Sequence, residues 1–182
     1  MKVKKISFIA NSPLSSNKIS IYQTLCQAQS IGKLANLTLM IPKRSDYKEN
    51  IDTSKKIKEI LNTSEELSFK YNNINYLDLF YYTIIPKRIR FSISSLFFSF
   101  KSIHFSLREN YDVIFTRDVF TLLIIYLLKK VFPIKQKIVF ESHQYSPLRS
   151  KLIRCVDVLL VINQYQLKSY KHKKAYILHD AV

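Results

Sequence analysis

The sequence predicts an α/β protein, a Rossmann-like doubly wound parallel sheet of about seven strands forming a single domain over residues 1–182. Three observations lead there. Short apolar runs alternate with stretches of helical period from end to end. The runs are continuous rather than alternating apolar and polar, as expected of strands covered on both faces. The chain has 182 residues, 47% of them hydrophobic, which suffices for one sizeable core, and no repeat or linker divides it.

Taken in order, the strand-like runs are Val3 to Ala10, Leu37 to Ile41, Ile74 to Leu79, Val113 to Thr116, Lys137 to Glu141, Val158 to Ile162 and Ala175 to Leu178. Helical stretches lie between them: Lys18 to Ile31, Ser54 to Asn62, Pro86 to Glu109, Val119 to Lys130, Pro147 to Cys155 and Gln164 to Lys171. Gly32 stands where the first helix should stop, and Pro86 and Pro147 suit first-turn positions. Thr63 followed by Glu66 has the spacing of a capping box and predicts a short extra helix.

The composition excludes several classes. Cys26 and Cys155 are the only cysteines and have no partners at metal-ligand spacing, so no disulfide framework or metal site is expected, and a reducing cytoplasm fits. The apolar run Val119 to Leu128 ends at Lys129 and Lys130, too short to span a bilayer. A net charge of +16 favours an anionic partner, either nucleic acid or an acidic membrane surface. Abundant Lys, Ile, Asn, Phe and Tyr with scarce Gly, Ala and Trp is also what an AT-rich genome imposes, so part of that charge carries no functional information.

In a doubly wound sheet the ligand lies at the carboxyl ends of the strands, which directs attention to the first loop. That loop reads Asn11, Ser12, Pro13, Leu14, Ser15, Ser16, Asn17, with no glycine. Dinucleotide and P-loop sites need glycines so that backbone amides can approach phosphates, which argues against a dehydrogenase, a kinase or an NTPase, and no cofactor is expected. Asn11, Ser12, Ser15 and Ser16 suit a polyhydroxylated ligand, or simply the capping of the first helix. Arg117 and Asp118 follow a strand directly and should emerge at the carboxyl edge, where the arginine can grip a phosphate or hydroxyl, or bridge to Asp118 or Glu141. Glu141 and His143 lie two apart at the next strand's end and so point the same way. His143 can orient an acceptor hydroxyl or transfer a proton there, or make an ordinary hydrogen bond.

In the long helix, Ile89, Ile93, Leu96, Phe100, Ile103 and Leu107 form a stripe expected to face the sheet. Phe91, Phe98 and Phe105 then form an outer ridge beside Arg90, Lys101 and Arg108, which suits an anionic membrane surface or a covering neighbour. His104, inside this helix, and His179 with Asp180, near the end, carry no site by themselves.

Several stretches together resemble the N-terminal domain of family 4 GT-B glycosyltransferases. These are Tyr22 to Ser30 with the strand ending at Pro42, Tyr111-Asp112-Val113-Ile114-Phe115-Thr116-Arg117-Asp118, Val139-Phe140-Glu141-Ser142-His143, Asp157 to Asn163, and Ile177 to Val182. The resemblance covers nearly the whole chain, but the first loop and Ala181 depart from it where glycine is usual. It implies the acceptor-binding half of a retaining enzyme that moves a sugar from a nucleotide-sugar to a glycan or lipid-linked acceptor. The nucleotide-sugar domain would be supplied elsewhere, for example by a second chain, so this chain alone should not catalyse. It further implies a cytoplasmic protein, peripheral on the inner face of the membrane. The competing expectation is a non-catalytic basic Rossmann-like module that binds nucleic acid or an anionic surface, although no nucleic-acid motif is present.

Overall fold

The computed structural model describes residues 4–14, 19–43, 52–77, 79 and 84–178. Seven parallel strands run in the order β3-β2-β1-β4-β5-β6-β7, with the first strand central. They are β1 (Lys5–Ile9), β2 (Asn36–Lys43), β3 (Lys70–Asn75), β4 (Val113–Thr116), β5 (Lys137–Ser142), β6 (Val158–Val161) and β7 (Ala175–Ile177). The helices are α1 (Ile19–Gly32), α2 (Thr53–Leu61), α3 (Lys87–Arg108), α4 (Val119–Val131), α5 (Pro147–Leu152), which continues as a short 3-10 turn, and α6 (Gln164–Tyr170). Strand order reverses between β1 and its neighbours β2 and β4, and the crevice at that switch point is the expected ligand position.

Two apolar layers hold the sheet. One face of β1, β4, β5 and β6 presents Ile9, Ile114, Ile138, Phe140, Leu159 and Val161 to α3, α4, α5 and α6. The opposite face of β1 and β2 presents Phe8, Leu37, Leu39 and Ile41 to Ile21, Leu25 and Ala28 of α1 and Ile57 of α2. Beyond α1, that second face is left uncovered by the described residues. Ile6, Val113, Phe115, Val139, Leu160 and Leu178 floor a groove of about 490 Å³, walled by Tyr22, Cys26, Gln27 and Ile31 and with Arg117 also in its lining.

Three local expectations change. The strand expected at Ile74 to Leu79 sits earlier, at Lys70–Asn75, because this edge strand buries only Ile74 and is otherwise polar. No helix forms after Thr63, whose hydroxyl instead accepts from the Glu65 amide in a turn. Gly32 is the last residue of α1 but has no positive φ. Its role is close approach, since a Cβ there would lie 2.4 Å from the Ser68 carbonyl oxygen.

The face of α3 is rotated relative to the sequence expectation, although Ile103 and Leu107 face the core and Phe91 the outside as expected. Phe98 and Ile103 are fully buried, while Ile89, Phe97 and Phe100 are exposed. The buried side is otherwise made of Ser94, Ser95, Ser99, Ser102 and Ser106. Small side chains let the helix lie close to β1, and three of the hydroxyls are satisfied internally. Ser106 Oγ donates to the Ser102 carbonyl at 2.8 Å and lies 2.9 Å from Ser7 Oγ, Ser99 Oγ donates to Asp118, and Ser94 Oγ accepts from the Leu79 amide. Phe98 is therefore no part of a surface ridge, and Phe105 packs against the core beside Tyr111.

Candidate functional site

Three of the residues singled out from sequence meet where β4 and β5 end. Thr116 closes β4, its hydroxyl donating to the Ile9 carbonyl at 3.0 Å, so Arg117 leaves the sheet next to the end of β1. Glu141 is in β5 on the groove-side face and has no accessible surface. Arg117 Nε lies 3.3 Å from Glu141 Oε1, His143 Nε2 lies 2.5 Å from the same oxygen, and Gln27 Nε2 donates to Glu141 Oε2 at 2.7 Å. Arg117 Nη2 also meets His143 Nε2, and its Nη1 donates to Thr24 Oγ1 at 3.4 Å.

Burial pushes the Glu141 carboxyl up, but the His143 hydrogen bond, the Arg117 charge and the Gln27 amide outweigh it and hold the group below the ordinary carboxylate value. The cluster therefore contains a buried, ionised carboxylate serving three neighbours. Its side chains differ in access: Glu141 0%, Arg117 13% and His143 32% exposed. Only His143, and to a lesser degree Arg117, can touch a ligand, so Glu141 acts through them. His143 Nε2 faces both a donor and an acceptor, and it can carry a hydrogen towards Glu141 or a lone pair towards Arg117, not both at once.

The turn that carries His143 is pinned from behind. Gln166 Nε2 donates to the His143 carbonyl at 2.9 Å, the Tyr170 hydroxyl donates to the Gln144 carbonyl at 2.8 Å, and Arg149 donates to that carbonyl at 2.6 Å. Such backing holds a reactive side chain in one geometry.

The remaining expected site residues separate. Asp118 turns away from Arg117 and caps α4, accepting from the Thr121 amide at 2.8 Å, the Thr121 hydroxyl at 2.9 Å and Ser99 at 3.1 Å. Burial pushes its carboxyl up, against the hydrogen bonds from Thr121 and Ser99 that favour the ionised form. Asn11 and Ser12 follow β1 at the same carboxyl edge as Arg117, and Asn11 Nδ2 is buried without a partner among the described residues. Ser15 and Ser16 lie outside the described residues, as do His179 and Asp180. Gln27 and Thr24 escaped the sequence reading. The signal for them was polar side chains three apart on the sheet-facing side of α1, beside buried Ile21, Leu25 and Ala28. Gln27 Oε1 is likewise buried and without a partner among the described residues. Among the described residues no cluster could hold a metal ion.

No protein-family model and no curated protein sequence matches the chain. Solved structures do. Sucrose-phosphate synthase from Thermosynechococcus elongatus aligns over 97% of this chain and 48% of its own, with a TM-score of 0.62 at 10% identity. The lipopolysaccharide outer core galactosyltransferase WaaB aligns over 98% and 46%, with a TM-score of 0.55 at 15% identity. Phytolacca americana UGT2, solved with UDP-2-fluoro-glucose and pterostilbene, aligns over 98% and 54%, with a TM-score of 0.58 at 11% identity. The chain thus has the fold of one half of a GT-B glycosyltransferase and spans about half the length of these proteins.

Proposed function

We propose that this chain is the acceptor-side half of a retaining GT-B glycosyltransferase of the family 4 type, and that it takes a glycan or lipid-linked acceptor. The observation that carries the reading is the Arg117, Glu141 and His143 cluster, joined by Gln27, at the carboxyl edge of a sheet with this fold. In this reading His143 binds the acceptor hydroxyl and holds or accepts its proton, Arg117 orients oxygen atoms beside it, and Glu141 sets the geometry of both. Asn11 and Ser12, at the same carboxyl edge, supply further hydrogen bonds to a polyhydroxylated ligand.

The activated sugar and its diphosphate belong to a second domain or chain. The first loop lacks the glycines that phosphate cradling needs, which supports this division. The open groove supports it too. A parallel sheet is ordinarily covered on both faces, and the bare apolar strip over β4, β5 and β6 is where chain from the other half would pack. The protein works on the cytoplasmic side, peripheral to the inner face of the membrane. No described helix is long and apolar enough to cross a bilayer.

Calorimetric titration of the purified chain with a panel of UDP- and GDP-sugars tests the division of labour. No binding in the micromolar range is expected, and micromolar affinity would overturn it.

A further inference from the structure

Helix α3 carries Lys87, Arg88, Arg90, Lys101 and Arg108 and no aspartate or glutamate along its length. Its outward face is apolar as well as basic. Ile89 is 51%, Phe97 44% and Phe100 52% exposed, with half-buried Ile93 and Leu96 between them. At 100° per residue these five fall on one side of the helix, and Lys101 and Arg108 lie along its border. Phe91, 59% exposed, sits on the α4 side in edge contact with Phe120, with ring centroids 6.0 Å apart. Phe120 is three residues from Arg117, so this end of α3 lies at the carboxyl edge that holds the candidate site.

An exposed strip of phenylalanine and isoleucine costs solubility in a monomer and is usually covered. Charge complementarity selects the cover. A protein partner would need an acidic surface matched in shape. An anionic bilayer offers a field for the lysines and arginines and an acyl boundary into which the rings and isoleucines can sink, with no shape requirement.

We propose that the outward face of α3, Ile89, Phe97 and Phe100 with Lys101 and Arg108 along its border, docks on an anionic lipid surface. That the acceptor is lipid-linked rests on the function proposed above, whereas the docking surface stands on α3 alone.

Sedimentation with vesicles of phosphatidylcholine alone and with 30% phosphatidylglycerol, at about 50 and 500 mM salt, tests the surface. Binding to the anionic vesicles is expected, falling on the order of tenfold at high salt, with little binding to neutral ones. Ile89→Ser/Phe97→Ser/Phe100→Ser should weaken anionic binding by on the order of tenfold. Tyr176→Ser, at an exposed position on β7, should leave it unchanged. Circular dichroism confirms that each variant is folded. Equal binding to neutral vesicles, or full binding by the triple variant, would overturn the proposal. Two other results would also overturn it: a concentration-dependent dimer that the triple variant abolishes, which makes a second copy the occupant, or a single-stranded oligonucleotide that displaces the protein from vesicles at matched phosphate. Nucleotide-sugar titration is independent of these outcomes, so failure here leaves the division of labour separately testable.

Discussion

Replacing Glu141 by glutamine tests whether the buried carboxylate organises the site. Glutamine keeps the shape and one acceptor oxygen, so the Gln27 amide can stay paired, while Arg117, with only 13% of its side chain exposed, loses the charge it faces. A hydrogen bond to a charged group contributes about 1.5–3 kcal/mol. For a chain of this length each kcal/mol moves the melting temperature by about 2–4 °C, so a fall of about 3–12 °C is expected at pH 7. The double variant Arg117→Gln/Glu141→Gln removes both charges and should be less destabilised than the sum of the single variants, with a coupling above about 1 kcal/mol. The pH dependence has a definite sign. The folded Glu141 value is depressed, so its contribution is complete above the unfolded value and is lost as pH falls through the folded one. The gap between parent and Glu141→Gln should therefore shrink on the acid side of the ordinary carboxylate range. Differential scanning calorimetry across pH, with the double-mutant cycle, reads all of this. A melting temperature within about 1 °C of the parent, or strict additivity, would refute the cluster argument.

Other expectations follow from single contacts. Gly32→Ala should destabilise by about 1–3 kcal/mol in urea unfolding, because the new methyl would lie 2.4 Å from the backbone oxygen of Ser68; no loss would show that the turn moves freely. Asp118→Ala should cost about 1–3 kcal/mol in the same assay through the lost cap and the orphaned Ser99 and Thr121 hydroxyls, and a neutral effect would refute that role. At pH 8 a maleimide should label Cys26, which lines the open groove, and leave Cys155, whose thiol burial pushes up to about 11. If Cys26→Ser left labelling intact, the groove would not be open as described.

The strands were legible because each carries β-branched or aromatic runs, and β4 was placed to the residue. The edge strand β3 was not, since Lys70, Asn72, Asn73 and Asn75 carry no apolar signal and the richer run begins at Ile74. The orientation of α3 was misread for a related reason. Periodicity assigns apolar residues to the core, whereas this helix packs through serines around Phe98 and Ile103 and leaves larger side chains outside. At the site, Arg117, Glu141 and His143 were readable because strand ends in a doubly wound sheet share one edge. Gln27 was not, because its contact with Glu141 spans 114 positions and depends on how α1 lies across the sheet. Asp118 was expected at the same edge as a possible bridge to Arg117, but adjacency in sequence says nothing of direction, and the first turn of α4 takes it as a cap.

The acceptor-side assignment is tested most directly at the His143 imidazole. Its ring resonances can be followed by heteronuclear NMR while the purified chain is titrated, in separate experiments, with a panel of glycan and lipid-linked saccharide acceptors and with UDP- and GDP-sugars. Saturable shifts with an acceptor, abolished in Arg117→Gln, and no shifts with any nucleotide-sugar are the predicted result. Shifts produced by a nucleotide-sugar and by none of the acceptors would contradict it.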